Sequence, residues 1–407
     1  MFTRNVVSSI KTKIWGKDTG TADESRPASQ RRHAASHAWL TEASEGLDYL
    51  RARTPYPSYL IKAMFAYHAA AFVNDSKPRY EAALDLGSGP GQLAFHFATK
   101  FDKVFARDPS ESHIAMGRSL AMLAITEADE LERVGLPATD GLKLDFDVGS
   151  ASEPNIDGQV DSIVVANAFH CFDWSTPEST WDLWTTWSKL LRPNGTIFAI
   201  GLVPSVGPLT GPMAERTRPL RQLLMGASFD SRSPISQYYT HPQIRLGAAE
   251  FYSTAIMPWT LGDDSLTRAW HSESRGYFVF DFPRDLELPP GFNSPKSDEP
   301  LPAWMPEDVQ KAVSVGNDAG NGFAYAKDPW RTTTPRKMAQ WFRSLSGSTR
   351  YYKDHPEQKL RIGREDDMVA RAIKGACEEG RIGYDDVLEL HHSASLLMLR
   401  RSNRPYT

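Results

Sequence analysis

Residues Leu84 to Gln92 read Leu-Asp-Leu-Gly-Ser-Gly-Pro-Gly-Gln, with glycines at alternate positions 87, 89 and 91. Directly after a short apolar run, three such glycines let the main chain turn sharply and meet a ligand without Cβ atoms in the way. A dinucleotide-binding turn would need glycine where Gln92 stands, and Asp85 would set a carboxylate beside a pyrophosphate that is already anionic. A ligand carrying a cation suits Asp85 better. Asp108 ends the next apolar run, 17 residues past Gly91, where a carboxylate in a doubly wound fold accepts ribose hydroxyls. A ribose and an ammonium group on one molecule describe S-adenosylmethionine. Asp85, Gly87, Ser88, Gly89, Gly91, Asp108 and Pro109 form the candidate cofactor set. Taken singly, Asp108 also suits a helix cap near Pro109, and the glycines an ordinary turn.

These residues need a scaffold that brings strand ends together. Ala82 to Leu86 reads as a strand and Gln92 to Lys100 as a helix. The same alternation recurs at 103–106 with 111–128, and at 160–166 with 176–191, followed by a strand at 196–202 after the Asn194-Gly195 turn. Alternating strands and helices predict an α/β fold: a Rossmann-like, mostly parallel sheet of seven strands with helices on both faces. Ahead of it, apolar spacing from Ala34 to Ala71 predicts two helices joined by a bend at Pro55 and Pro57. Residues 203–334 are rich in turn formers, with seven prolines between Pro283 and Pro306, and read as an inserted substrate cap. Helical spacing returns at 335–345 and 365–379, and the chain closes on two strands at 387–390 and 394–399. The predicted organisation is a flexible basic segment 1–33, a core with N-terminal helices 34–202, the cap 203–334, and C-terminal helices and strands 335–407.

The chain has 407 residues, 41% hydrophobic and 24% charged, with net charge -4. That is a globular composition, and no apolar run reaches the roughly 18 residues of a membrane span, so stable membrane insertion is not expected. Residues 1–33 carry seven basic and three acidic side chains, which leaves the remainder at -8. An acidic body argues against a nucleic-acid partner, whose affinity comes from clustered Lys and Arg. Cys171 and Cys377 alone support neither a disulfide framework nor a four-cysteine zinc site, and no ligand-spaced His or acid cluster points to a metal. The cysteine count fits a reducing, cytoplasmic setting. The acid-free opening 2–17, with Val6, Val7, Ile10 and Ile14 on one helical face, is the alternative sign of a mitochondrial presequence.

The run Ala83 to Leu93, the strand ending at Asp108 and the stretch Val160 to Trp174 resemble the motifs of class I S-adenosylmethionine-dependent methyltransferases. More narrowly, the chain resembles the trans-aconitate methyltransferase-like group and its fungal small-molecule branch. Tyr49-Leu-Arg-Ala-Arg53-Thr-Pro-Tyr56-Pro57 is similar to that branch's Tyr-x-x-x-Arg-Pro-x-Tyr-Pro segment with one register slip. His170-Cys-Phe-Asp-Trp174 is similar to its His-Trp-Phe-Asp sequence, and Trp341 to Ser346 looks like its substrate-side helix. The resemblance implies that Asn167 faces the methionine tail or the substrate. It also implies that the place of an adenine-binding acid after the third strand falls to Ser150, beside Ala151, or that Asp147 reaches in instead. A hydroxyl there is a weaker partner than a carboxylate.

Methyl transfer from a sulfonium is an in-line displacement, so positioning and exclusion of water carry most of the task. A carboxylate acceptor needs only holding, for which Arg53 and Tyr56 are the candidates. A hydroxyl or acidic carbon needs a base, and His170, just past the fourth strand, is the candidate. A His that merely packs there, and an Arg53 that pairs with a surface acid, are the plainer readings. Trp181, Trp184 and Trp187 sit at helical spacing and read as core. Trp174 and, in the irregular region, Trp259, Trp270, Trp304 and Trp330 read as an apolar wall for the acceptor. The expected activity is methylation of oxygen on a small organic acid or secondary metabolite. The alternatives are carbon methylation of a quinone or polyketide-like acceptor, and a noncatalytic binding protein of the same fold.

Overall fold

A computed structural model describes residues 47–402, apart from 207–211, 227–255, 271–275, 281–306, 308–312, 316–323, 327–330 and several stretches of one to four residues. The basic segment 1–33, the first part of the predicted N-terminal helices, the proline-rich excursion with Trp304, and Trp330 lie outside the described residues.

The sheet is built around β1 (Ala82–Leu86), which pairs in parallel with β2 (Lys103–Asp108) on one side and β4 (Val160–Ala166) on the other. β3 (Leu144–Val148) extends it beyond β2, and β5 (Leu191–Val206) beyond β4, all parallel. β10 (Leu388–Arg400) then runs antiparallel between β5 and β6 (Gly276–Phe280). Three short strands, β7 (Val313–Val315), β8 (Ala324–Ala326) and β9 (Arg331–Thr333), complete the order β3-β2-β1-β4-β5-β10-β6-β8-β7, with β9 on β10. Among the described residues the sheet therefore has ten strands where seven are predicted. The three-residue segments β7, β8 and β9 are too short to print a period on the sequence. The two strands predicted at the C-terminus are one, because β5 offers an unbroken partner from Val206 back to Thr196.

Side chains alternate across the sheet. Ala83, Val104, Ala106, Val164, Phe198, Ile200, Leu396 and Met398 point to one face, and Leu84, Leu86, Ile163, Val165, Ile197, Ala199, Leu397 and Leu399 to the other. The first face is covered by α1 (Ser58–Ala69), α2 (Gln92–Ala98) and α3 (Glu111–Thr126), through residues such as Leu60, Met64, Phe97 and Leu120. The helix predicted to run to 128 stops at Thr126, and Glu127, with φ -148°, starts the short α4 (Ala128–Arg133). The second face is covered by α5 (Pro177–Leu190), whose start is fixed by Pro177 and by a reciprocal cap between Thr176 and Ser179. Trp184 and Trp187 on α5 are fully buried, whereas Trp181 on the same helix is partly exposed and donates its indole N–H to Asp263 at 3.0 Å. Asp263 in turn caps α7 (Asp264–Ala269). A third cluster packs α6 (Pro212–Gly226), α8 (Pro335–Arg343) and α10 (Met368–Gly380) around Val206 and Leu388, beside the four-residue α9 (Pro356–Lys359). No helix among the described residues is long and apolar enough to cross a membrane.

The two ends of the sheet differ in chemistry. At the amino end, fully buried Asp161 accepts the main-chain N–H groups of Glu81 and Ala82 and both oxygens meet Arg192 at 3.1 Å. Nearby His68 bridges Thr196 Oγ1 (2.8 Å) and the Arg79 carbonyl (2.7 Å), and burial lowers its pKa to about 4. Asp161 is thus matched by Arg192 and Arg79, which suits a structural anchor. The carboxyl end is where charges are left to be matched.

Candidate functional site

β1 and β4 are neighbours whose following helices cover opposite faces, so a crevice opens at their carboxyl ends, the usual ligand position in open α/β sheets. The glycine turn leaves β1 there. Gly87 and Ser88 donate their N–H groups to the Arg107 carbonyl at 2.8 and 3.1 Å, and Gly91 donates to the Ser88 carbonyl at 2.9 Å. Gly87 (φ 67°) and Gly91 (φ 91°) are required on two counts. A Cβ at 87 would lie 2.5 Å from the Ala168 Cβ, and one at 91 would lie 2.4 Å from the Phe146 ring. At Gly89 the space is open, with the Tyr49 hydroxyl 3.8 Å away as the nearest group. The middle of the turn therefore faces the crevice.

Asp108, at the end of β2, organises this turn. Its Oδ2 accepts the Gly89 N–H at 2.8 Å, and its Oδ1 accepts the Ser110 N–H at 2.9 Å and lies 3.4 Å from His113 Nδ1. Burial works against the charge, but His113 and the two N–H groups outweigh it and hold the carboxyl below its ordinary range. Asp85 is the opposite case. It is buried, its Oδ2 has no hydrogen-bond partner among the described residues, and burial, then the neighbouring Asp108, push its pKa up to about 8 despite a bond from the Ala94 N–H. An orphaned buried carboxylate oxygen beside an open glycine turn is a place built for a cation that is not part of the chain.

The opposite wall comes from the segment before α1. Arg53 donates its main-chain N–H to the Tyr49 carbonyl at 3.0 Å, and its guanidinium lies 5.1 Å from the centre of the Tyr49 ring. The Tyr49 ring meets His113 edge-on at 5.6 Å. Tyr56 is buried, and its phenol pKa is raised by desolvation, Asp85 and Tyr49 in that order. Its hydroxyl accepts a hydrogen bond from Asn167 Nδ2 at 3.5 Å. Asn167 leaves β4 in a left-handed conformation (φ 52°), secured by its N–H to the Ile200 carbonyl and its Oδ1 from the Leu202 N–H, each at 2.7 Å. Tyr56 is thus within reach of Asp85, Arg53 and Asn167, and Asp108 of both Asp85 and the glycine turn.

The loop after β3 forms the next edge. Ser150 is exposed, but its hydroxyl is engaged by Ser152 (3.1 Å) and by the Glu153 N–H (3.0 Å), while the Ala151 carbonyl accepts the Trp187 indole N–H at 2.9 Å. Asp147 pairs with Arg118 at 3.1 Å and bonds its neighbour's N–H. Buried Arg107 holds this loop to β2, donating from Nε to the Pro154 carbonyl (2.9 Å) and from Nη1 to the Asp145 carbonyl (2.7 Å). Pro109 is exposed at the start of the Asp108 turn.

His170 sits in a short 3-10 helix, Phe169–Cys171, directly after the stretch whose Ala168 and Phe172 abut Gly87. It is half-buried, and desolvation lowers its pKa to about 4, so it is a neutral and weakly basic imidazole at pH 7. Trp174 and Trp270 are placed elsewhere. Trp174 packs on Phe169 with ring centres 4.6 Å apart and donates to the Phe169 carbonyl, and Trp270 is buried against Trp184 at 5.6 Å and donates to Ser188 Oγ at 2.9 Å. Both belong to the aromatic core over the second face, as does the flank of Trp259. His113, Arg107 and Phe146 carry no sequence-stated role. His113, five residues after Asp108 and one turn into α3, had a signal that spacing makes visible; Arg107 and Phe146 depend on contacts far along the chain.

Residues 84–197 match the protein family described as Methyltransferase domain. A curated relative, Methyltransferase pgmE of Aspergillus terreus, is 31% identical over 152 residues, which is 37% of this chain and 39% of the relative. The match thus spans about two fifths of that protein. Among solved structures, one described as a type II methyltransferase from Anaeromyxobacter dehalogenans aligns over 86% of this chain and 97% of its own, at 15% identity and TM-score 0.43. The glycopeptide N-methyltransferase MtfA, solved with S-adenosyl-L-methionine, aligns over 34% of this chain and 54% of its own, at 20% identity and TM-score 0.25.

Proposed function

We propose that the protein is an S-adenosylmethionine-dependent methyltransferase acting on oxygen of a small organic acid or secondary metabolite. The observation that carries this reading is the buried Asp85 carboxylate with one unmatched oxygen, set beside a glycine turn that Asp108 ties down. When bound, the cofactor supplies an electrophilic sulfonium methyl. Asp85 would take its ammonium, Asp108 its ribose hydroxyls, the main chain of Gly87 to Gly91 its body, and the loop at Ser150 and Ala151 its adenine. The match of residues 84–197 to a methyltransferase domain supports the reading.

The chain's remaining task is to hold the acceptor and take its proton. His170, neutral at pH 7 with a conjugate acid near 4, has a free lone pair for a proton but is a weak base, which favours the most acidic hydroxyls, such as enols, over ordinary phenols and alcohols. Tyr56 and Asn167 would orient that oxygen. Residues 203–334 in this reading select the acceptor, and a count of only two cysteines in 407 residues fits a cytoplasmic setting. Titration calorimetry with S-adenosylhomocysteine tests the cofactor half: one-site binding is expected, and no heat from the wild type would remove the proposal. A panel of phenols, enols and carboxylic acids, read by methyl incorporation, tests the acceptor half.

A further inference from the structure

We propose that the turn Leu360 to Arg364, between α9 and α10, docks on an anionic lipid surface, lying on the bilayer without crossing it. Leu360 and Ile362 are 78% and 43% exposed, and Leu360 is the most exposed large apolar side chain among the described residues. A single exposed leucine is ordinary, but two aliphatic side chains two positions apart on one turn leave apolar surface in water together. Arg361 and Arg364 are exposed beside them. The run Gln358 to Arg364 holds three bases and no acid, and Glu365 and Asp366 come only after it. Aliphatic side chains interleaved with cations match a headgroup layer, whose anionic groups take the charges while the acyl boundary takes Leu360 and Ile362. A second copy of the same turn would set bases against bases.

The backbone holds this turn out from the fold. Its base is closed by buried Asp367, which accepts the Tyr352 hydroxyl at 3.4 Å, pairs with Arg343 on α8, and accepts the Val369 and Ala370 N–H groups at 2.8 and 3.2 Å. Between these ends, Gln358, Arg361 and Arg364 each donate a main-chain N–H to the carbonyl three positions back, at 2.9, 3.0 and 2.9 Å. Successive turns of this kind fix the chain, so Leu360 and Ile362 stay outside while Tyr351 and Tyr352 enter the core beneath. The chain beyond residue 33 carries -8, but at physiological salt charges farther than roughly 8 Å are largely screened, and the local bases decide. The cluster that carries the turn packs around Val206 and Leu388, at the carboxyl end of β5, the edge of the sheet on which the glycine-turn crevice also opens.

The test is co-sedimentation of the full chain with vesicles of phosphatidylcholine alone and of phosphatidylcholine mixed with phosphatidylserine. Binding is expected to the mixed vesicles, and weaker binding to phosphatidylcholine alone and at high salt. Leu360→Ser with Ile362→Ser should weaken it by about 5- to 30-fold, the loss of two partly transferred aliphatic side chains. Arg361→Gln with Arg364→Gln should weaken it by a similar factor on the mixed vesicles only, and both double variants should melt at the wild-type temperature. No binding by the wild type overturns the proposal. So does binding that neither double variant weakens, which would move the contact to another part of the chain, such as the basic segment 1–33. Equal binding to both kinds of vesicle at low and high salt overturns the anionic surface. A dimer in analytical ultracentrifugation that Leu360→Ser with Ile362→Ser dissolves, with no vesicle binding, overturns it in favour of a second copy.

Discussion

The Gly89 N–H donates to Asp108 Oδ2 at 2.8 Å, so the middle of the glycine turn is tied to the end of the neighbouring strand. One carboxylate thereby shapes the turn and, in the proposed function, meets the ribose. Asp108→Asn keeps the side-chain shape but gives up the charge and one acceptor. S-adenosylhomocysteine binding should weaken by about 10- to 100-fold, corresponding to a charged hydrogen bond, with the fold intact by circular dichroism. Calorimetry reads the first and a melting curve the second.

Asp85 makes binding pH-dependent in a stated direction. Its folded-state pKa, about 8, lies above the ordinary carboxylate value, so the free protein holds it protonated at pH 7. A cation binds the ionised form, and binding therefore releases a proton below pH 8. Affinity for S-adenosylhomocysteine should rise up to about tenfold per unit between pH 6 and 8 and then level off. The same shift favours the folded state fully below pH 4 and is lost as pH rises through 8. Calorimetry in buffers of different ionisation enthalpy should detect the released proton, and Asp85→Asn should abolish it.

Gly91→Ala would bring a Cβ within 2.4 Å of the Phe146 ring, which would lie equally close to a Cβ at Gly117, at a φ of 91°. The ring has glycine backbone on two sides and little room to yield. The substitution should cost about 1–3 kcal/mol or more and drop the melting temperature by several degrees. A trimmed ring, in Gly91→Ala with Phe146→Leu, should recover the steric part only, leaving the backbone part.

His170→Ala should remove methylation of a hydroxyl acceptor while leaving S-adenosylhomocysteine affinity within twofold. Because the imidazole pKa is about 4, the wild-type rate at saturating cofactor, where the Asp85 effect on binding drops out, should show no loss on its acid limb until pH falls towards 5. An acid limb near pH 6.5 would assign the proton transfer to another group.

Trp270→Phe breaks the indole bond to Ser188 Oγ in the aromatic core. It should lower stability by about 1 kcal/mol and leave the KM for the acceptor unchanged. A raised KM with an unchanged melting temperature would return Trp270 to the acceptor wall.

What could be read from the sequence was what the local backbone dictates. Gly87, Gly89 and Gly91 follow a strand and precede a helix within ten residues, and Asp108 ends the next strand, so the turn and its tether are printed in order along the chain. The short apolar run Ala82 to Leu86 likewise announced a strand, and the structure covers it on both faces. Arg107 was silent because its partners, Asp145 and Pro154, lie 38 and 47 positions away. Trp174 and Trp270 were ambiguous for a related reason. An aromatic residue in irregular sequence can face a ligand or a core, and only the nearby Ser188 and Phe169 groups decide between them. The short strands β7 to β9 are three residues each, which is below any detectable period.

The position of β10 has a consequence for how the chain must assemble. This strand comes last in sequence, yet it lies between β5 and β6 and is the seam by which β6, β8 and β7 join the rest of the sheet. During synthesis on the ribosome, the glycine turn and its neighbours can form early, while β6 must wait more than a hundred residues for its partner. A chain stopped before Leu388 would keep the amino-terminal half of the sheet and leave both the β5 edge and the β6 edge bare, an invitation to pair with other chains.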